Sequence, residues 1–550
     1  MTACPSVAYF CMEYGLDPSF PIYAGGLGIL AGDHMKSVGD LRVPLTGIGL
    51  FWDEGYTRQV VGTGGLEDQY PKTPRDAVRR VDVRIEVTVR DKVIPLRAWK
   101  VERFTSATLY LLEPEHEEDK WITQRLYGGG AEDRLAQEIV LGVGGVRLIA
   151  ALGLTPDVYH FNEGHAVFAG LELLHRNKFG GGTLDEKIAK LRPHVVFTTH
   201  TPVPAGNEVH DLALLRRMDA DCGFTDQELT SIGGDPFSMT VAGLRMARLA
   251  NGVAELHGET AREMWKDVEG GAPIISITNG VHQPTWQDAR IRAALVPDKS
   301  RDTQDNELWA AHQAMKGELL AEIARRTKLS LAHDKLLLGF ARRAATYKRA
   351  DLVISDEKSL KRLFDAGVQI VYAGKAHPRD QAGKALIGKL IDASKKHPAQ
   401  VVFLENYDMR LGALLTRGSD VWLNNPRRPL EASGTSGMKA AMNGVPNLSI
   451  LDGWWPEGCE HGLTGWKIGD PDPEDDAFDE KDAQRIDNRD RDLLYQVLER
   501  EVLPAYRDRP AWLRIMRASI AMSQWEFSSD RMVEDYVNRV YSAPSGRKST

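Results

Sequence analysis

Short apolar runs, each about one strand long and each ending in a glycine or polar turn before helix-period sequence, recur along this 550-residue chain. They are "VVFTTHTP" from Val195, "LLLGFARR" from Leu336, "VQIVYAGK" from Val368, "QVVFLENY" from Gln400, "DVWLNNP" from Asp420 and "PNLSILDG" from Pro446. Runs that are apolar on both faces and separated by helical segments suit parallel strands covered by helices on both sides. The pattern predicts an α/β chain, and its length allows two or three domains, each burying its own core. On such sheets ligands bind beyond the carboxyl ends of the strands. His200, Arg342, Arg343, Lys375, Tyr407, Asn424 and Asn425 all stand just after such a run.

Between the runs, "NELWAAHQAMKGELLAEIAR" (306–325) places Leu308, Met315, Leu319 and Ile323 on one helical face, predicting a long amphipathic helix. A looser, proline-containing stretch near 282–298 precedes it and marks a domain boundary. The division expected is 1–290, 291–525, and a C-terminal segment 526–550 whose helix returns to the N-terminal domain and whose tail frays. The acid-rich stretch from Gly469, "GDPDPEDDAFDEKDAQRIDNRDRD", reads as a solvated surface excursion. No internal repeat of 20–50 residues is present.

Charge and cysteine usage exclude several classes. With 69 basic against 77 acidic residues the net charge is -8, so no domain-wide basic excess exists to displace counterions from a nucleic acid. Cys4, Cys11, Cys222 and Cys459 are scattered, without CxxC spacing or a neighbouring histidine pair, and suggest reduced thiols rather than a disulfide framework or a zinc site. The N-terminus lacks a basic region followed by an apolar run, and no stretch of about 18 apolar residues occurs. The expectation is a cytoplasmic protein with no membrane partner.

Several motifs carry chemistry. In "YAGGLGILAGDHMKS", Gly25, Gly26 and Gly28 precede helix-compatible sequence, which suits either an ordinary strand-to-helix turn or backbone amides presented to an anion. The GGxG spacing is neither a dinucleotide fingerprint nor a Walker loop. In "FARRAATYKRADLV", Arg342, Arg343, Lys348 and Arg349 crowd within eight residues at a strand's end, with Asp351 the one acid nearby. They form either a solvated basic face or a site for one or two phosphates. "HFNEGHAVFAG" offers Asn162, Glu163 and His165, whose spacing is not that of HExxH, so no metal site is expected. His200 in "TTHTP" and Asn279 in "ITNGVHQP" are polar groups at strand-end turns, able to hydrogen-bond sugar hydroxyls or to serve structure. Lys439 lies among glycines and small residues in "EASGTSGMKAAMNG". It is either a desolvated amine suited to a Schiff base or a buried ion-pair partner.

"EASGTSGMKAAMNG" closely resembles the pyridoxal-phosphate segment of the α-glucan (glycogen, starch, maltodextrin) phosphorylase family. "YAGGLG", "FNEGHA", "TTHTP", "ITNGV", "RRAATYKR", "GKAHP" and "LENYD" resemble its other motifs in the same order, and the likeness is greatest to the short bacterial and archaeal branch. The resemblance implies a GT-B glycosyltransferase fold, two doubly wound Rossmann-like domains facing a cleft. It implies reversible, retaining phosphorolysis of α-1,4-glucans (glycogen, starch or maltodextrin) by inorganic phosphate to α-D-glucose 1-phosphate, with pyridoxal 5'-phosphate as cofactor. By the same resemblance Lys439 would carry the cofactor, Arg342, Thr435, Ser436 and Gly437 would hold its phosphate, and Tyr407 would lie beside its ring. Arg343, Lys348 and the glycine loop at Gly25 and Gly26 would bind the substrate phosphate. His200, Asn279, Tyr347, Glu431, Ser433 and Gly434, with Asn162 and Glu163, would face the sugar.

The sequence departs from the animal members at Arg342, where they have lysine, at Glu163, where they have aspartate, and at Trp454 and Trp455, where they have smaller residues. The tryptophan pair follows an apolar run, so an extended segment would turn one ring toward the cleft and the other inward. The chain begins almost at the glycine loop, and control through a long N-terminal regulatory segment is not expected. The assembly is left open, a homodimer among the options. Two rival readings share the fold: a nucleotide-sugar glucosyltransferase such as a glycogen or starch synthase, and a non-catalytic glucan-binding protein.

Overall fold

The computed structural model describes residues 4–203, 206–471 and 480–542. The chain packs as two compact units. The described residues up to Tyr56, Tyr70–Thr278 and those from Ser529 onward make the first; Thr57–Gln69 and Asn279–Ser528 make the second.

The first unit is built on a nine-stranded sheet. Its spatial order is Ile274–Ser276, Leu249–Gly252, Val195–Thr198, Val158–Asn162, Val7–Phe10, Leu45–Leu50, Thr108–Pro114, Lys92–Val101, Val78–Val89. The first seven strands pair in parallel and the last two antiparallel. The antiparallel edge departs from the expected parallel sheet. Its cause is local: Arg90 and Asp91, at φ 54° and 58°, close a two-residue turn of the mirror-image type that matches strand twist. The C-terminal residues complete this unit's core. The Tyr541 hydroxyl lies 2.8 Å from His160 Nδ1, and the Tyr536 hydroxyl accepts from Asn251 Nδ2 at 3.0 Å.

The second unit carries six strands, all parallel, ordered Val401–Leu404, Val368–Lys375, Leu336–Arg343, Val421–Asn424, Asn447–Ser449, Gly465–Lys467. Numbered along the chain this is 3-2-1-4-5-6, the doubly wound order. All six apolar runs singled out in the sequence are strands. The amphipathic helix spans Arg301–Thr327, opened by the Ser300 side chain accepting from Thr303 N at 3.2 Å, and buries Leu308, Met315, Leu319 and Ile323. It also buries Lys316 and His312, whose Nζ and Nε2 lie 2.6 and 2.9 Å from the two oxygens of Asp420. A charge at the start of strand Val421–Asn424 is thereby matched inside the core.

Two expectations are corrected. The acid-rich stretch is not wholly a solvated excursion: residues 472–479 lie outside the described part, but Ala483–Val497 is a helix with Ile486, Asp490 and Leu494 buried at four-residue spacing. Asp490 pairs with buried Arg349 at 2.8 Å. The tryptophan pair does not divide between cleft and interior, because Trp454 and Trp455 are 1% and 0% exposed. They are not extended. Trp455 opens a short helix, Trp455–Gly458, with Trp454 as its cap. Helical neighbours diverge by about 100° rather than 180°, so both rings turn inward and meet edge-on at 5.2 Å, with Phe527 4.5 Å from Trp454.

Candidate active site

Both sheets have a point where the strand order reverses, and Arg342 and Asn424 in the second unit and Asn162 and Glu163 in the first stand at these points, whereas Tyr407 and Asn279 follow edge strands. In the second unit the reversal lies between Leu336–Arg343 and Val421–Asn424. Arg342, second from the end of the first of these strands, donates through Nη1 to Asn424 Oδ1 and approaches Glu431 Oε2 through Nη2 at 3.0 Å. Lys348, in the turn Thr346–Lys348, places Nζ 2.9 Å from the same oxygen and 3.2 Å from Glu431 Oε1. Burial pushes the Glu431 carboxyl up, but the two cations outweigh it and pull it down to about 2. Arg349 turns away, held by Asp487 at 3.0 Å, Asp490 and two backbone carbonyls. Asp351 pairs with Lys389 instead. The basic motif is therefore balanced by acids remote in sequence, and Arg343 stands exposed.

The loop after Glu431 returns to this cluster. Ser433 Oγ is buried without a hydrogen-bond partner. Gly434 has φ 85°, and a Cβ there would sit 3.7 Å from Arg342 Nη2. Thr435 and Ser436 are half-buried, and the helix Ser436–Met442 carries Lys439 on its buried side. Lys439 is 7% exposed and its Nζ lies 3.7 Å from the centre of the Trp286 ring, a cation over an aromatic face. Gly437 is required by crowding, since a Cβ would fall 2.4 Å from Asn447 Oδ1. Burial pushes the Tyr407 phenol up to about 12, against the pull of nearby Arg342. Lys348 Nζ lies 4.9 Å from the Tyr347 ring centre, and Asn279 is buried. Burial pulls the Lys375 ammonium down to about 8, and its Nζ donates to Thr57 O at 2.9 Å.

In the first unit the reversal lies between Val7–Phe10 and Val158–Asn162. Asn162 donates to Cys11 Sγ at 3.3 Å, and its Oδ1 lies 2.8 Å from His200 Nε2. Glu163 holds φ 86° and accepts from Gly164 N at 3.0 Å, His200 N at 2.7 Å and Thr201 Oγ1 at 3.2 Å. His165 Nε2 accepts from Met12 N at 3.1 Å. Burial pulls both His165 and His200 down to about 3 and pushes Glu163 up. Both imidazoles are thus neutral hydrogen-bonding groups at neutral pH.

The glycine loop opens the helix Gly26–Asp40. Sequence reading missed Glu13, whose Oε2 accepts from Ala24 N at 2.6 Å and Gly25 N at 3.3 Å, and whose Oε1 accepts from the Tyr127 hydroxyl at 2.7 Å. Gly28 leaves room for it, since a Cβ there would meet Glu13 Oε2 at 2.5 Å, whereas at Gly25 and Gly26 a Cβ would meet nothing within 4 Å. An acid directly before "YGLDP" and eleven residues ahead of the loop gave no periodic signal. One group among the described residues, Glu138, Glu208 and His210, brings metal-ligand atom types within 4.8 Å. Arg134 supplies the positive charge there, with Nε 3.1 Å from Glu138 and both Glu208 oxygens at 2.6 and 2.8 Å.

Comparison with known proteins gives a consistent result. The profile of the family described as carbohydrate phosphorylase matches residues 274–457. A maltodextrin phosphorylase of Thermococcus litoralis is 39% identical across 98% of this chain and 70% of its own length. A glycogen phosphorylase of Mycobacterium tuberculosis is 36% identical, over 98% of this chain and 71% of its own length. One of Aquifex aeolicus is 35% identical, over 98% and 86%. Identity of this extent, sustained over nearly the whole chain and most of each relative's length, establishes that the chain belongs to the carbohydrate phosphorylase family.

Proposed function

We propose that this chain catalyses the reversible, retaining phosphorolysis of α-1,4-glucans from their non-reducing ends, releasing α-D-glucose 1-phosphate, on a GT-B fold with pyridoxal 5'-phosphate held on Lys439. The observation that carries the reading is the pair Arg342 and Lys348 on one carboxylate, reached by the same loop that leads to a buried lysine. Two cations against Glu431 leave one positive charge in excess, before exposed Arg343 is counted. That is the electrostatic requirement for gathering phosphate dianions.

The residues present fit the cofactor. Lys439 offers a primary amine in an apolar, aromatic setting, and Ser433 Oγ is an orphaned buried hydroxyl nearby in sequence. Arg342 and the Thr435–Gly437 segment would hold the cofactor's phosphate, with Tyr407 beside the ring. When bound, the cofactor supplies a phosphate that can exchange a proton with the substrate phosphate. Arg343, Lys348 and the Gly25–Gly26 loop would fix the substrate phosphate. Its proton passes to the leaving glycosidic oxygen as the C1–O bond breaks, and one of its oxygens takes the anomeric carbon from the same face. His200, Asn162, Glu163, Asn279, Tyr347, Glu431, Ser433 and Gly434 would hold the glucosyl unit. Neutral His200, fixed by Asn162, suits a sugar hydroxyl, because an uncharged imidazole can both donate and accept a hydrogen bond.

The test is direct. Purified protein reduced with borohydride is expected to carry a pyridoxyl group on the Lys439 peptide, and with inorganic phosphate and maltooligosaccharides to release glucose 1-phosphate. Absence of pyridoxal together with glucose transfer from a nucleotide sugar would overturn the proposal.

A further inference from the structure

The turn Asp452–Gly453–Trp454 touches the cation-bearing loop at four points. Asp452 is fully buried, and its Oδ2 accepts from Glu431 N at 2.9 Å while Oδ1 accepts from Gly453 N at 2.8 Å. Gly453 has φ 59°, and a Cβ there would fall 2.3 Å from Ser433 O. Trp454 N donates to that same carbonyl at 2.9 Å. The Trp454 ring then closes on Gly437, where a Cβ would meet its Cζ2 and Nε1 at 3.0 Å. One short turn thus contacts the loop at Glu431, Ser433 and Gly437, the beginning, middle and end of the segment leading to Lys439.

We propose that Asp452 is a positioning residue for the anion site: by fixing the Glu431 backbone it sets the carboxylate that locates Arg342 and Lys348. Both oxygens of Asp452 accept from backbone N–H groups and the residue is fully buried, so bulk solvent cannot take the place of a lost partner. Glu431 in turn is, among the described residues, the acid that pairs with both cations. A shift of the Glu431 backbone moves the carboxylate, and two long cationic side chains lose their common anchor. Gly453 and Trp454 complete the clamp, the first by permitting close approach and the second by packing. This inference rests on the proposed phosphorolysis and adds the residue that holds its anion-binding geometry.

Asp452→Asn is the test, because it preserves shape while replacing one acceptor by an amide that faces a donor. The expected result is a rise of about tenfold in the KM for inorganic phosphate and for glucose 1-phosphate, the scale of one lost hydrogen bond to a buried backbone group. The KM for maltooligosaccharide should rise less than that for phosphate, because Glu431 would be only one of eight residues on the glucosyl unit, and the melting temperature should stay within a few degrees. A role confined to stability would do the reverse, lowering the melting temperature and leaving the phosphate KM unchanged, and that outcome overturns the proposal. If Asp452→Asn does not fold, Gly453→Ala, which displaces the Ser433 carbonyl from the other side of the clamp, must raise the KM for inorganic phosphate, and a wild-type phosphate KM in that variant overturns the proposal. A wild-type protein that releases no glucose 1-phosphate would sink the proposed function itself, whereas an active wild type with a wild-type-like Asp452→Asn would sink only the positioning role.

Discussion

Replacing Glu431 by glutamine isolates the charge that holds the cation pair. In the folded protein, against the upward push of burial, the two cations draw this carboxyl from 4.5 down to about 2. At about 1.4 kcal/mol per unit, the charged form is favoured by roughly 3 kcal/mol in the folded state. Because the folded value is depressed, this stability is fully present above about pH 4.5 and is lost as pH falls toward 2. Glu431→Gln removes it at neutral pH and leaves Arg342 and Lys348 as buried like charges sharing an amide oxygen, the costly half of a broken pair. Urea denaturation at pH 7 in phosphate-free buffer should show the second unit destabilised by about 3 kcal/mol. Adding inorganic phosphate should then stabilise the variant more than the wild type, because an anion replaces the missing carboxylate; at a hundredfold excess over Kd binding contributes about 2.7 kcal/mol. A variant as stable as the wild type without phosphate, or one that gains no more from phosphate, would refute the account of Glu431 as the electrostatic keystone of the site.

Other consequences are open to simple measurement. Lys348→Ala should lower catalytic efficiency with phosphate about tenfold or more while leaving glucan affinity near wild type, and equal losses for both would point to a structural role. Trp454→Ala should cost about 3–5 kcal/mol of stability, since the ring is buried against Trp455 and Phe527; a melting curve matching the wild type would contradict that packing. Stability of the first unit should fall with acid from about pH 6.5 downward. Burial holds His34, His165 and His200 at about 3, so each takes up a proton on unfolding between those values, steepening the loss by up to about 1.4 kcal/mol per pH unit per histidine. Denaturation at pH 7 and pH 5 measures the slope, and a flat response would show that these rings are not held neutral.

What the sequence made legible was whatever depends on local pattern. The six apolar runs became strands because both-face burial leaves an unbroken apolar signature, and the helix Arg301–Thr327 kept its stripe. The clustering of polar residues after the strands also followed, because a parallel sheet puts all its carboxyl ends on one edge. Charge pairing was not legible. Glu431 is 83 residues from Lys348, and nothing near "RRAATYKR" announces it; the neighbouring Asp351 is engaged elsewhere. Arg349 looked like a fourth member of the phosphate cluster, yet its αL turn at φ 49° points it to Asp487 and Asp490. The tryptophan pair failed because one helical turn begins where an extended segment was assumed. Asp452 and Glu13 hold loops through backbone amides, and backbone amides have no sequence signature.

The hairpin Thr57–Gln69 and the closing segment from Ser529 mean that the chain passes between the units after residues 56, 69, 278 and 528. Synthesis is directional, so the first unit cannot finish when its own sheet strands have emerged. His160 and Asn251 then still lack Tyr541 and Tyr536, their partners from the far end. Those residues follow the whole of 279–528, which a ribosome working at about 5–20 residues per second needs roughly 12–50 s to make. Through that interval the sheet of the first unit waits with an open, polar seam, and the second unit, complete in itself once the hairpin has docked, is free to fold before it. Closure of the first unit therefore waits on Tyr536 and Tyr541, and a fragment ending near residue 290 would be expected to keep that seam open however long it is given.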